Sequence, residues 1–264
     1  MSAKRRSLVM GVVVLGAVVG AGCSDSTNPA AGSGQNVALS FSGVRPPGVG
    51  GVMAVQATQA DSFVLLVGAD RLVITSAEVV MRKLELRRAG VSVSCDSVAD
   101  EDSCEEFTIG AMLVSLPLAA GAEQAISVPV DSGTYTKIEF KIHKPGSDSV
   151  DQAFFATNPT WPSNTSIRVT GTFNGTPFTY TSSLDAEQEY TFNPPLVIDA
   201  SGSPTNLTIR LDLSSWFRNG SAGPLVSPAS GNAGGANESL IKDNIKNSIK
   251  AFEDHDHDGD ERDG

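Results

Sequence analysis

Histidine, cysteine and aromatic residues are scarce in this chain of 264 residues, which holds three His, three Cys and 6% Phe, Trp and Tyr. So few imidazoles leave little material for a nucleophile with its base. No G-x-S-x-G elbow, H-E-x-x-H helix or phosphate-binding Gly loop makes up the deficit. A non-catalytic protein is the expectation, and a carbohydrate-active enzyme using paired carboxylates is the weaker alternative. Positive charge is short as well: 19 Lys and Arg stand against 30 Asp and Glu, a net charge of −11. That balance argues against nucleic acid as a partner.

Long apolar stretches are also missing. The run from Leu8 to Val19 has twelve residues, too few for the roughly 20 that span a bilayer. It follows Lys4-Arg5-Arg6 and precedes Gly20-Ala21-Gly22-Cys23, the charged start, short apolar stretch and small residues of a secretory signal. The Cys directly after the small residues resembles the bacterial lipobox, in which that Cys is acylated and becomes residue one. Gly20 departs from the aliphatic residue usual there. Residues 1–22 therefore read as a lipoprotein signal peptide, with Cys23 lipidated and the protein anchored in a bacterial cell envelope, at the outer membrane on its periplasmic face or at the cell surface. Removing residues 1–22 takes away three positive charges and no negative one, so the formal charge moves from −11 to −14. Residues 23–36 read as lipidated Cys and flexible tether. As coil, the thirteen residues Ser24 to Asn36 reach about 20 Å.

Cys95 and Cys104 bracket the acidic stretch 96–103. In a compartment where disulfides persist they read as one bridge. A closed loop of about ten residues restricts the unfolded chain by roughly 2.7 kcal/mol in the entropy model.

Residues 37–220 form a body large enough for one core. Its signal is period two. Ile138, Phe140 and Ile142 alternate with Lys137, Glu139 and Lys141, and Leu207, Ile209, Leu211 and Leu213 alternate with Thr208, Arg210 and Asp212. Ile167, Val169, Gly171 and Phe173 lead into Asn174-Gly175 and the alternating Phe178 and Tyr180, a hairpin whose turn needs positive φ. From Arg71 to Arg88 the apolar parity changes, which a bulge near Arg82 would repair; a short helix capped by Ser76 is the competing reading. With Phe63–Val67, Gln124–Val130 and Glu189–Asp199 the count reaches nine to eleven strands: a mainly β, antiparallel sandwich. Trp161, between Pro159 and Pro162, packs in the core by default or stacks on a sugar if exposed, and Trp216 beside Phe217 is expected to plug one end of the sandwich.

Gly133-Thr134-Tyr135-Thr136-Lys137-Ile138-Glu139-Phe140 and Thr205-Asn206-Leu207-Thr208-Ile209-Arg210-Leu211-Asp212 resemble two strands of an uncharacterised family of bacterial lipoprotein β-sandwich domains, over about residues 37–217. The resemblance implies an extracytoplasmic, transthyretin-like sandwich and no catalytic residue. The partners that follow are the membrane, through the lipid, and an envelope protein or glycan, in adhesion, envelope assembly or ligand binding.

Residues 221–236, rich in Gly, Ser, Pro and Asn, read as an irregular linker. Leu240, Ile241, Ile245, Ile249 and Phe252 then fall at helical spacing, so the pattern predicts an amphipathic helix over 237–253, with Asn237 as its cap. Residues 254–264 form an acidic Asp/His tail. Within it, Asp254, Asp256, Asp258 and Gly259 match positions 1, 3, 5 and 6 of an EF-hand loop, and the Asp260 carbonyl would take position 7. Position 9 is Arg262, and position 12 would lie beyond Gly264. The motif thus offers at most a half-site for Ca2+, the basis of a calcium-responsive recognition module as the alternative function. A solvated acidic tail competes with that reading, as does a loose zinc or copper chelate at His255 and His257.

Overall fold

The computed structural model of the protein describes residues 35–44, 62–90, 104–106, 111–119, 124–199, 205–220 and 222–254. These residues form a mainly β sandwich of two sheets with few helices. The strands are β1 (Gln35–Ser42), β2 (Phe63–Val67), β3 (Asp70–Arg88), β4 (Cys104–Glu106), β5 (Met112–Ser115), β6 (Gln124–Val130), β7 (Gly133–Ile142), β8 (Ile167–Phe173), β9 (Thr176–Ser182), β10 (Ala186–Ile198), β11 (Asn206–Leu211) and β12 (Ile249–Glu253). Three helices accompany them: α1 (Ser149–Thr157), α2 (Leu213–Trp216) and α3 (Glu238–Asn247).

The larger sheet is built on β3. Along one edge its residues 70–74 pair with β2, 78–81 with β5 and 85–87 with β4; along the other, 72–79 pair with β8 and 81–88 with β7. A strand of 19 residues keeps one face inward over that length only if its pleat is reset. The reset lies where the parity change predicts it. The β3–β7 register shifts between Arg82 and Leu84, and Lys83 takes φ 56°. A second shift, between Ile74 and Ser76, faces Gly171 of β8, where a Cβ would stand 1.9 Å from the Val73 carbonyl oxygen. Only glycine lets the two backbones approach so closely.

The β8–β9 hairpin turns at Asn174 (φ 51°) and Gly175 (φ 80°), as the Asn-Gly pair requires. The Asn174 amide then accepts from the Arg71 N–H at 2.8 Å and donates to Asp70 at 2.8 Å, tying the turn to the start of β3. β10 closes the sheet against β7.

The smaller sheet runs β12-β11-β1-β6. One pair departs from the antiparallel expectation, because β1 lies parallel to β11. Leu39, Phe41, Leu207, Ile209 and Leu211 face the larger sheet and are buried in the shared core with Ile74, Val79, Ile138 and Phe140. Trp216 is buried in the shared core with no exposed surface.

The C-terminal segment corrects one sequence expectation. The helix predicted over 237–253 stops at Asn247, and Ile249–Glu253 is an edge strand paired with β11. Ile241 and Ile245 bury as helix positions. Ile249 and Phe252 keep the helical spacing but sit on opposite faces of a strand: Ile249 joins the core opposite Leu211, and Phe252 lies opposite Thr208 with the Arg210 guanidinium over its ring. The unpaired edge of β11 supplies a hydrogen-bond ladder that outcompetes one more helical turn.

The irregular stretch read over 221–236 is packed against the sandwich where it is described. Its 3-10 turn, Pro228–Gly231, docks on β9 and α3: Asn232 accepts from the Thr181 N–H at 2.8 Å and donates to the Thr179 carbonyl at 3.1 Å. A Cβ on Gly231 would meet Ile241 at 2.4 Å and Tyr180 at 3.0 Å.

Candidate functional site

β10 of the larger sheet approaches β12 of the smaller one. β10 holds its register with β7 up to Thr191 and regains it at Leu196. Between them lies Phe192-Asn193-Pro194-Pro195, whose prolines have no N–H to offer a ladder. The Asn193–Pro194 bond is cis. A cavity of about 490 Å³ opens between this bow and the edge of β12, lined by Thr191, Phe192, Asn193, Pro194, Leu196 and residues 251–253. That volume is within the roughly 300–1,000 Å³ of ligand pockets. Phe252 is buried with the Arg210 guanidinium 5.0 Å from its ring centroid. At the head of the cleft the Tyr190 hydroxyl donates to the Ile249 carbonyl at 2.7 Å. Burial pushes that hydroxyl up to about 12, so it stays a donor across physiological pH.

A second constellation sits at the end of β7. His143 is buried, and its Nε2 lies 2.8 and 3.0 Å from the two Asp151 carboxylate oxygens. A carboxylate only accepts, so Nε2–H donates. Asp151, in the first turn of α1 and 1% exposed, also accepts from the Gly146 N–H at 2.8 Å. Helix α1 thereby closes the Lys144-Pro145-Gly146 turn onto the sheet, with Phe154 and Trp161 packed beside Val80. Asp151→Ala is expected to lower the unfolding free energy by about 3 kcal/mol, because it strands the buried His143 donor and the half-buried Gly146 N–H. Urea denaturation measures the loss, and Asp151→Asn, which keeps one acceptor, should recover part of it.

The third is the outward face of the larger sheet. Glu85, Glu139 and Glu189 stand in one crosswise row on β3, β7 and β10. Arg87 pairs with Glu139, Lys137 with Glu189 at 2.5 Å, and Lys83 with Glu85 at 3.4 Å. Alternation predicts an exposed Glu139; instead it is 6% exposed.

Of the residues singled out from sequence as sites, Asp254 and Cys104 are among those described. Asp254 is fully buried: its N–H donates to the Asn206 carbonyl and its carboxylate accepts from the Thr208 hydroxyl, both at 3.1 Å. The chain reaches Asp254 from β12, so the entering helix of an EF-hand is replaced by a strand. Asp256, Asp258 and Asp260 lie outside the described residues, as do Cys23 and Cys95, and Cys104 opens β4 opposite Arg87. Among the described residues, no three His, Cys, Asp or Glu are grouped to hold a metal ion. Trp161 is core rather than platform: it is 4% exposed, the Arg168 guanidinium lies 4.5 Å from its ring centroid, and its Nε1 donates to the Thr165 carbonyl at 2.7 Å. The cavity was not legible from motifs, because backbone and common residue types build it. The one signal was Pro194-Pro195 inside an otherwise strand-like run.

No protein-family model and no curated protein matches the chain. Among solved structures it is similar to MbnP from Methylosinus trichosporium, at 11% sequence identity and a TM-score of 0.38, over 83% of this chain and 98% of that one.

Proposed function

We propose that this β-sandwich is a non-catalytic binding module of a bacterial cell envelope, held to the membrane by a lipid on Cys23 and acting in adhesion, envelope assembly or ligand capture. The observation that carries the binding role is the cavity between the β10 bow and β12. Its lining supplies a hydroxyl at Thr191, an amide at Asn193, a carboxylate at Glu253 and aromatic carbon at Phe192 and Phe252, the mix of apolar wall and few polar groups that fixes a ligand's orientation. The address rests on the sequence from Lys4 to Cys23. A bridge between Cys95 and Cys104 belongs to the same proposal, since an envelope compartment keeps disulfides oxidised.

Mass spectrometry of the protein from bacterial membranes tests the anchor. The expected N-terminal peptide begins at Cys23 and carries acyl mass, and Cys23→Ser should release the protein into the aqueous phase of a detergent partition. An unmodified Cys23, or cleavage elsewhere, refutes the localisation.

A further inference from the structure

We propose that the cavity is a β-augmentation groove, in which an extended peptide segment bearing Lys or Arg pairs its main chain with the outer edge of β12. The proposal rests on the binding role given above and names its ligand class.

β12 is the last strand in its sheet, and among the described residues its outer edge meets no other strand. The hydrogen bonds fix which peptide groups point outward. Asp212 N–H donates to the Ser248 carbonyl and Asp254 N–H donates to the Asn206 carbonyl, so the even-numbered residues bond inward to β11. In an antiparallel ladder the odd-numbered ones then face out. Tyr190 confirms the phase, because its hydroxyl reaches the outward carbonyl of Ile249. Two residues further on, Ala251 presents the next outward N–H and C=O, and Ala251 lines the cavity. Across the cavity, Pro194 and its neighbour Pro195 have no N–H to donate to that edge. A strand edge facing a formed cleft is the geometry of strand addition, in which main-chain bonds give affinity and flanking side chains give selectivity.

Charge selects the occupant. No Lys, Arg or His is among the described lining residues, Glu253 is, and the chain carries −11 overall. A basic segment is drawn to such a cleft and an acidic one repelled.

Fluorescence anisotropy on the lipid-free chain, residues 24–264, provides the test with three labelled seven-residue peptides. One alternates Lys with Val and Thr, one has Glu in place of each Lys, and one repeats the basic sequence with alternate backbone nitrogens methylated. The basic peptide should bind at least about tenfold more tightly than either of the others. Ala251→Pro removes only an outward N–H, since β12 bonds to β11 through residues 250, 252 and 254, and it should weaken the basic peptide by about tenfold. Asn193→Lys, at an exposed position, should weaken it similarly by charge while leaving the thermal midpoint unchanged. Equal binding of the methylated and unmethylated peptides would overturn strand addition yet leave a binding module in place. Failure of all three peptides to bind would overturn this ligand class without touching the Cys23 anchor.

Discussion

Trp216→Ala should lower the unfolding free energy by about 4 kcal/mol, within the roughly 3–5 kcal/mol that deleting a buried aromatic costs. Packing is the first reason: Trp216 is 0% exposed and lies in the shared core beside Leu213 and Phe217. The second is hydrogen bonding. Its Nε1 donates to the Ser248 hydroxyl at 2.8 Å, and that hydroxyl donates to the Ile245 carbonyl at 2.7 Å. Ser248 is the hinge between α3 and β12. Asn244 adds a third tie, donating to the Trp216 carbonyl at 3.1 Å and to the Arg218 carbonyl at 2.7 Å. Trp216→Phe keeps most of the volume and should cost about 2 kcal/mol, chiefly through the lost donor. Urea denaturation followed by far-ultraviolet circular dichroism separates the two. A loss below about 1 kcal/mol in the alanine variant would show that α2 and α3 relax to fill the space. Because Trp216 sets where β12 begins, the alanine variant should also bind the basic peptide less well.

Packing of Trp216 was expected from the sequence and its bond to Ser248 was not, and much of the sandwich divides the same way. Where one face of a strand is buried and the other wet, alternation reports the fold directly. The Ile138-Phe140-Ile142 and Leu207-Ile209-Leu211 series are buried as read, although β11 buries its other face too, Thr208 and Arg210 included, and Asn174-Gly175 turns as read. Even the bulge at Lys83 announced itself, because a slip of one residue moves the apolar set to the other face. Legibility failed where spacing serves two periods or where partners come from distant segments. Ile249 and Phe252, three apart, suit a helix face or two sides of a strand, and only the waiting edge of β11 decides. His143 met Asp151 through a helix that the sequence reading left out. The cavity joins Thr191 to Ala251 across sixty residues of chain. Its working groups are main-chain N–H and C=O, which carry no residue signature at all. At Asp254 the Asp-x-Asp-x-Asp-Gly spacing suggests a ligand set and says nothing of the bond that its carboxylate accepts from Thr208.

Alternation also hid the charge buried on the outward face of the larger sheet, and that charge carries the second large effect. Arg87→Leu should destabilise the protein by about 4 kcal/mol near neutral pH, because it leaves the Glu139 carboxylate buried without its counter-ion. Arg87 is 9% and Glu139 6% exposed, and the two are in direct contact. Arg87→Leu/Glu139→Leu should regain most of the loss, since well-packed apolar residues can replace a buried pair at little cost. The pH dependence separates this account from a simple packing defect. Burial raises the Glu139 carboxyl above its ordinary 4.5, and the hydrogen bond with Glu189 adds to the rise, while Arg87 opposes it. Glu189 moves the other way, held down chiefly by its bond to Lys137. A carboxyl raised in the folded state contributes stability that is fully present below the unfolded value and lost as pH rises through the folded one. Glu189, lowered, contributes stability above the unfolded value that is lost as pH falls through its folded one. Without Arg87 the Glu139 carboxyl should rise further, so the penalty of Arg87→Leu should be largest near pH 8 and shrink towards pH 4 as Glu139 takes up its proton. Urea denaturation of the wild type and both variants across that range gives the curve. A penalty independent of pH would assign the loss to the aliphatic stem of Arg87 and not to its charge.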